Sequence, residues 1–350
     1  GLFLSAGIDS GALLGLMRDA GQRDIRAITL AFDEFRGTED DEAPLAAQVA
    51  ERYGAKHIIR RVAKREFDDD LPAILDAMDQ PSIDGVNAWF VAKAAKEAGL
   101  KVALSGLGGD ELLAGYSSFT DLPRWRRRFG PFAAIPGLGR LVRGLLPALA
   151  PGLAQSRPKA LGLLEYAHRW SGAYLLRRGL FLPHELPEIM DPDMAREGLR
   201  RLRPLRRFAA SLTPDPGSDI GRVCALESAH YMRNQLLRDA DWAGMAHGIE
   251  IRVPLVDVPL LKAVASTSPS LARAAGKTAL ANAPLVPLLS DRLTRAKTGF
   301  TVPTRGWIAA PAGAVVVAHR EPMDEPQGLV SRRWSQLVLA NAGGLKVGAT

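Results

Sequence analysis

Cysteine is nearly absent from this chain of 350 residues: Cys224 is the single one. One thiol excludes an intrachain disulfide framework and any multi-cysteine zinc site, and Cys224 reads as structural. It fits a reducing compartment, with the cytoplasm as the expected setting. The six histidines show no metal-ligand spacing, so His57 and His247 read as satisfied core or surface residues. No apolar run is long and clean enough to span a bilayer. There is no internal repeat and no low-complexity tract. The sequence opens in the middle of an element, GLFLSAGIDS, with no initiator methionine and no lead-in. It therefore reads as part of a longer protein.

What is present is an ordinary enzyme-like composition. Hydrophobic residues make up 47% and charged residues 24%, enough for a large core in two packed units. The net charge of +7 suits a polyanionic partner, or a protein that handles ATP and pyrophosphate. Arginines cluster at Arg124, Arg126, Arg127 and Arg128, and again at Arg201, Arg203, Arg206 and Arg207. Solvated helix ends explain these clusters better than nucleic-acid binding does.

Residues 1–120 alternate strands and helices. Strands are expected at 1–5, 25–31, 56–60 and 102–105, and helices at 10–21, 42–53, 66–78 and 88–98, with a polar loop at 32–41. This alternation predicts an α/β fold: a mostly parallel sheet with helices on both faces. Residues 121–220 are richer in proline, glycine and arginine and read as a helical or irregular insertion. Within them, 125–154 has the makings of an amphipathic interfacial segment; packing on the protein itself is the favoured reading. Residues 221–305 look mainly helical, around an RVPLVD turn, and 306–350 form a tail.

In open parallel sheets, ligands sit beyond the carboxyl ends of the strands. Ser5, Ala6, Gly7, Ile8, Asp9 and Ser10 follow the first strand. Small residues let backbone N–H groups approach phosphate oxygens, and a helix then points its N-terminus at the same charge. Asp9 makes sense as a helix cap or as a reach toward hydrated Mg²⁺. A plain capped turn explains the same residues. The loop has neither the Gly-Lys-Ser/Thr ending of a Walker A motif nor a dinucleotide fingerprint. About a hundred residues later, Ser105, Gly106, Leu107, Gly108, Gly109, Asp110 and Glu111 repeat the design. Two carboxylates at a helix start suit Mg²⁺ across a triphosphate, or simply favour the helix dipole.

Together SAGIDS and LSGLGGDELLAGY resemble the synthetase domain of the glutamine-dependent asparagine synthetases, within the wider ATP-pyrophosphatase (PP-loop) superfamily. DQPSIDGVNAWFVAKAA (79–95), MAHGIEIRVPLVD (245–257) and RAKTGFTVP (295–303) are similar to further motifs of that family, in the same order. The likeness covers about 1–305. It implies an adenine nucleotide alpha hydrolase-like fold followed by a largely helical C-terminal part, with ATP and Mg²⁺ as cofactors. Leu4, Ser5, Ala6, Gly7, Asp9 and Ser10 would hold the nucleotide and its phosphates. Leu30 would face the adenine, with Ser105 and Gly106 on the other side. Asp9 and Asp110 would ligate the metal. Lys297 would stabilise charge at the α-phosphate, and Glu111 is the nearby carboxylate. Asp79, Ser82, Asp84, Leu107, Gly108, Gly109 and Arg252 would line the acid pocket, although DQPS also reads as a turn and Arg252 as a partner of Glu250 or Asp257.

The implied reaction activates a carboxylate as an acyl-adenylate, which ammonia or another amine then attacks. Two departures stand out. Ala6 replaces a family glycine. Leu107 sits where family members carry an acid proposed as the base, and leucine cannot take a proton. The resemblance further implies a glutaminase domain or subunit as ammonia source, upstream of Gly1, and is compatible with a homodimer. Nucleic acid and membrane are disfavoured as partners. A tRNA-modifying ATP pyrophosphatase and a degenerate nucleotide-binding homologue are the alternatives.

Overall fold

The structure is a computed structural model and describes residues 1–149, 158–267, 270, 272, 275–288, 302–303, 307 and 327–342. Two units divide the chain. One comprises Gly1–Gly115 with Met232–Ala309, the other Tyr116–Tyr231 with Ala310–Thr350.

The first unit is built on a five-stranded sheet. Its strands are β1 (Leu2–Phe3), β2 (Arg26–Phe32), β3 (Lys56–Val62), β4 (Val102–Leu104) and β5 (Glu250–Arg252). They run in the order β3-β2-β1-β4-β5, and every pair is parallel. In β2 the run from Ala27 to Phe32 is buried throughout, as a strand covered on both faces must be. The helices of this region are α1 (Ile8–Asp19), α2 (Ala43–Arg52), α3 (Lys64–Ala77), α4 (Val86–Glu97) and the single turn α5 (Gly109–Leu112). Leu13 and Leu14 of α1, with Ala46 and Val49 of α2, share a core with Leu2, Leu4 and Ala27 of the sheet. Leu280 and Ala281, from helix Lys277–Ala281, join the same core. α4 packs against β2 and against helix Leu237–Ala246, burying Trp89 and Phe90.

The expected elements of residues 1–105 are all present, with ends moved by a few residues. β1 is shorter than 1–5 for a local reason. Leu4 N still donates to Ile28 O (2.8 Å), but Ser5 N turns aside to Ser10 Oγ (3.1 Å) and leaves the ladder. β5 is a correction: it lies in a stretch expected to be helical. Glu250 and Arg252 are exposed and only Ile251 is partly buried, so no apolar run announces it. Edge pairing defines it, through Glu250 N to Lys101 O (2.9 Å) and Ser105 N to Arg252 O (2.8 Å).

The second unit is helical in its described residues. Tyr166, Ala167, Leu175, Leu176 and Leu182 form its core with Ala133. Glu227 is fully buried and accepts from Arg178 Nε (2.9 Å) and Tyr174 OH (3.2 Å). Arg178 lies 3.5 Å over the Tyr231 ring. A buried carboxylate so supplied with donors meets the requirement for burying charge.

Candidate active site

The strand order reverses at β1. β2 and β3 lie to one side of it, β4 and β5 to the other. Such a switch point leaves a crevice beyond the carboxyl ends of β1 and β4. The two loops singled out in the sequence both emerge there.

In the first loop Gly7 is the N-cap of α1 and supplies no side-chain cap. Ser10, buried, accepts from Ser5 N, and Gly7 N donates to Ser5 Oγ (3.1 Å). Ala6 N donates to Glu42 Oε2 (3.4 Å). Asp9 does not cap the helix; its carboxylate turns to Lys277 Nζ. In the second loop Gly108 has φ +98°. A Cβ there would lie 2.7 Å from Val256 Cγ2 and 3.0 Å from Leu255 O. The RVPLVD turn thus packs directly on this loop, and only glycine fits both the space and the left-handed backbone. Gly109 brings α5 against Asp9: a Cβ would stand 2.5 Å from Asp9 Oδ1.

Lys277 joins the two strand ends. Its Nζ meets Asp9 Oδ2 and lies 2.6 Å from Asp110 Oδ1. All three side chains are largely buried, at 16%, 18% and 13% exposure. Burial alone would lower the Lys277 ammonium, but Asp9 and Asp110 outweigh it and hold it above the ordinary lysine range. Glu111 is buried on α5, and no third acid joins Asp9 and Asp110 in a metal-binding group among the described residues. Two carboxylates on one cation are what a Mg²⁺ site uses when phosphates and water complete the shell. Gly109, and Gly115, whose Cβ would lie 1.9 Å from Asp110 Oδ1, keep that space open. The residues present therefore fit ATP with Mg²⁺.

The other expected residues fall into place separately. Leu4 is buried at the end of β1, where its carbonyl accepts from Thr29 Oγ1 (2.7 Å), and Leu30 is buried in β2. Thr29 Oγ1 also meets His57 Nε2 (2.8 Å), so His57 has a structural partner. Ser105 and Gly106 pass beside Asp9, with a Cβ on Gly106 only 2.9 Å from Asp9 Cβ. Leu107 is half-buried. Arg252 is exposed and bound to Glu250 (2.8 Å). Lys297 lies outside the described residues.

Asp79, Ser82 and Asp84 come together with one face of the 235–242 stretch. Gln235 donates to Asp84 Oδ2 (2.9 Å) and Arg238 Nε to Asp79 Oδ1 (2.8 Å). Asp239, 4% exposed, accepts from Trp242 Nε1 (2.9 Å). Burial pushes its carboxyl up to about 6, against the pull of Ser82 and Trp242 and with added repulsion from Asp84 and Asp79. An acid raised above its unfolded value holds extra protons in the native state. Stability therefore falls as pH rises from about 4 to about 6 and is level above that. Asp239→Asn keeps an acceptor for Trp242 and removes the titration. It is expected to gain about 2–3 kcal/mol over wild type near pH 8 and little near pH 4. Urea unfolding at both pH values checks this; an equal difference at the two would refute it.

Neither Lys277 nor Asp239 was a candidate from sequence. Both lack a local pattern.

The family model described as asparagine synthase matches residues 1–330. A Mycobacterium bovis protein named "Putative asparagine synthetase, glutamine-hydrolyzing" is 34% identical over 318 residues, covering 89% of this chain and 46% of the relative. Asparagine synthetase (glutamine-hydrolyzing) 1 of Bacillus subtilis is 27% identical over 319 residues, covering 88% of this chain and 47% of the relative. The chain thus spans slightly under half the length of each. With matching over nearly its whole length and two loops meeting at the switch point of a parallel sheet, the chain belongs to the asparagine synthase family.

Proposed function

We propose that this chain is an ATP-dependent, AMP-forming amide ligase. The observation that carries the reading is the meeting of Asp9 and Asp110, from two separate strand ends, on Lys277 Nζ. In the proposed first step a substrate carboxylate oxygen attacks the α-phosphorus of ATP, the bond to the β-phosphate oxygen breaks, and pyrophosphate leaves. In the second, an amine nitrogen attacks the acyl carbon, AMP leaves, and the nitrogen loses a proton. The hydroxyls of Ser5 and Ser10, with the N-terminal turn of α1, would hold phosphate oxygens. Lys277, and Lys297 by resemblance, would offset the charge that grows on them. Asp9 and Asp110 would hold Mg²⁺, which when bound draws charge from the phosphates. Asp79, Ser82 and Asp84 would line the acid pocket.

The relatives are named glutamine-hydrolyzing, and each is about twice as long as the matched stretch. A glutaminase domain or subunit is accordingly the proposed source of ammonia. Leu107 cannot act as a base, so aspartate is not singled out as the acid.

ATP–pyrophosphate exchange over a panel of carboxylic acids tests the reading, with Lys297→Ala as the comparison. Exchange is expected with one acid or a narrow class, falling about a thousandfold in the variant. Nucleotide binding without exchange on any acid, or in a natural extract, would reject adenylation in favour of a nucleotide-binding homologue without this chemistry. An unchanged rate in Lys297→Ala would remove that residue's role alone.

A further inference from the structure

From Leu122 to Leu164 the sequence contains no Asp or Glu and eight Lys or Arg. The described part of this stretch is a pair of helices, Ser118–Ala133 and Leu138–Leu149, joined by a turn at 134–137. The second helix has two unlike sides. Gly139 packs so closely on the segment Leu163–Tyr166 that a Cβ would lie 2.5 Å from Leu164 O, and Arg143, one turn on, pairs with Glu165 (3.0 Å). The opposite side carries Leu141 and Leu145, 60% and 51% exposed. Phe132 and Ile135, at the end of the first helix and in the turn, are 55% and 51% exposed.

A solvated helix face is normally polar. Here the outward face is apolar, and the charges beside it have one sign. Arg124, Arg127, Arg128 and Arg140 are all exposed. None of the four is ion-paired with a carboxylate among the described residues. The expectation that this segment packs on its own protein is met only on its inner side.

We propose that this corner docks on the surface of an anionic phospholipid bilayer. Leu141, Leu145, Phe132 and Ile135 enter the headgroup–acyl boundary while the arginines meet lipid phosphates. Such pairing of an apolar face with basic flanks is what binding in the plane of a membrane requires. Two other occupants fit less well. Nucleic acid would engage the arginines but has no use for four exposed apolar side chains. A second copy related by a two-fold axis would set the same arginine-rich surface against itself. The inference does not depend on the reaction proposed above.

Co-sedimentation of the full chain with extruded vesicles tests it. Binding is expected with vesicles containing about 30% phosphatidylglycerol in phosphatidylcholine and not with phosphatidylcholine alone. It should weaken about tenfold or more in the double variant Leu141→Asp, Leu145→Asp, and by a similar factor when salt rises from about 50 to about 500 mM. Both leucines are exposed, so an unchanged unfolding temperature is expected to show that the variant is folded. As a second variant, Arg124→Gln with Arg127→Gln and Arg128→Gln should lose anionic selectivity while keeping the apolar face. Failure to bind the anionic vesicles, binding equal in wild type and the leucine variant, or a dimer in sedimentation velocity that the leucine variant dissociates would each overturn the proposal. So would capture of RNA that persists in the leucine variant without any binding to vesicles.

Discussion

Replacing Lys277 by alanine is expected to reduce ATP–pyrophosphate exchange about a thousandfold. The ammonium stands between two carboxylates in a largely buried site. Without it Asp9 and Asp110 lose the ammonium that they share. Breaking a buried pair by removing one partner costs about 3–5 kcal/mol, and about 4 kcal/mol lost at the transition state is about a thousandfold in rate. The penalty also falls on the ground state, so the unfolding temperature should drop. Added Mg²⁺ should restore part of it, and should raise the variant's unfolding temperature more than that of wild type, because the metal can take the ammonium's place between the two acids. Lys277→Arg keeps the charge but presents a planar fork in place of a compact donor, so exchange should fall less than in Lys277→Ala. No pH dependence from Lys277 is expected between about 5 and 9. A lysine held above its ordinary value is fully charged there, and its contribution is lost only as pH rises through that raised value. Exchange within about threefold of wild type, with no difference in the response to Mg²⁺, would mean that the bridge is an ion pair and nothing more.

The parts of this site visible in the sequence are those made by neighbours in the chain. Ser5–Ser10 and Ser105–Glu111 follow apolar strands, and each combines small residues with an acid, so the local pattern suffices to mark a loop at a strand end. The parallel direction of the central strands follows in turn, because strands separated by helices return in parallel; their order comes from the structure. What could not be read is what depends on distant partners. Lys277 contacts Asp9 across 268 positions of sequence, and nothing in GKTALANAP distinguishes a buried bridging lysine from an exposed one. β5 carries two charged residues out of three and exists as a strand through its bonds to residues 101–105. Asp239 sits in a helix where its neighbours Arg238 and Ala240 point to different surroundings; only the packing of Trp242 and Ser82 shows that it is enclosed. The choice between a cap and a ligand for Asp9 was likewise open until a third group, from elsewhere in the chain, fixed where the carboxylate points.

Gly115→Ala should reduce exchange about a hundredfold, through the addition of one methyl group. Gly115 closes the turn after α5, its N–H donating to Asp110 O (2.8 Å). Ala114 just before it already has φ +57°, so the turn has little freedom to swing aside. A Cβ at position 115 would lie 1.9 Å from Asp110 Oδ1 and 2.4 Å from Lys277 Cε, far inside contact distance. Both obstacles are ends of side chains, and they will move before the backbone does. Asp110 then leaves the cation or Lys277 leaves both acids. A displacement of about 1 Å at a reacting group is enough for about a hundredfold loss. The cost to folding should be smaller, about 1–3 kcal/mol, because no core side chain is forced from its place. The double variant Gly115→Ala, Lys277→Ala separates this account from general disruption. If both changes act by opening the same bridge, the second adds little once the first is made, and the losses fall short of additivity by about 1 kcal/mol or more. Strictly additive losses would mean that Gly115 harms exchange by some route other than the Asp110–Lys277–Asp9 contact, and the bridge would lose its claim to hold the two strand ends in working register.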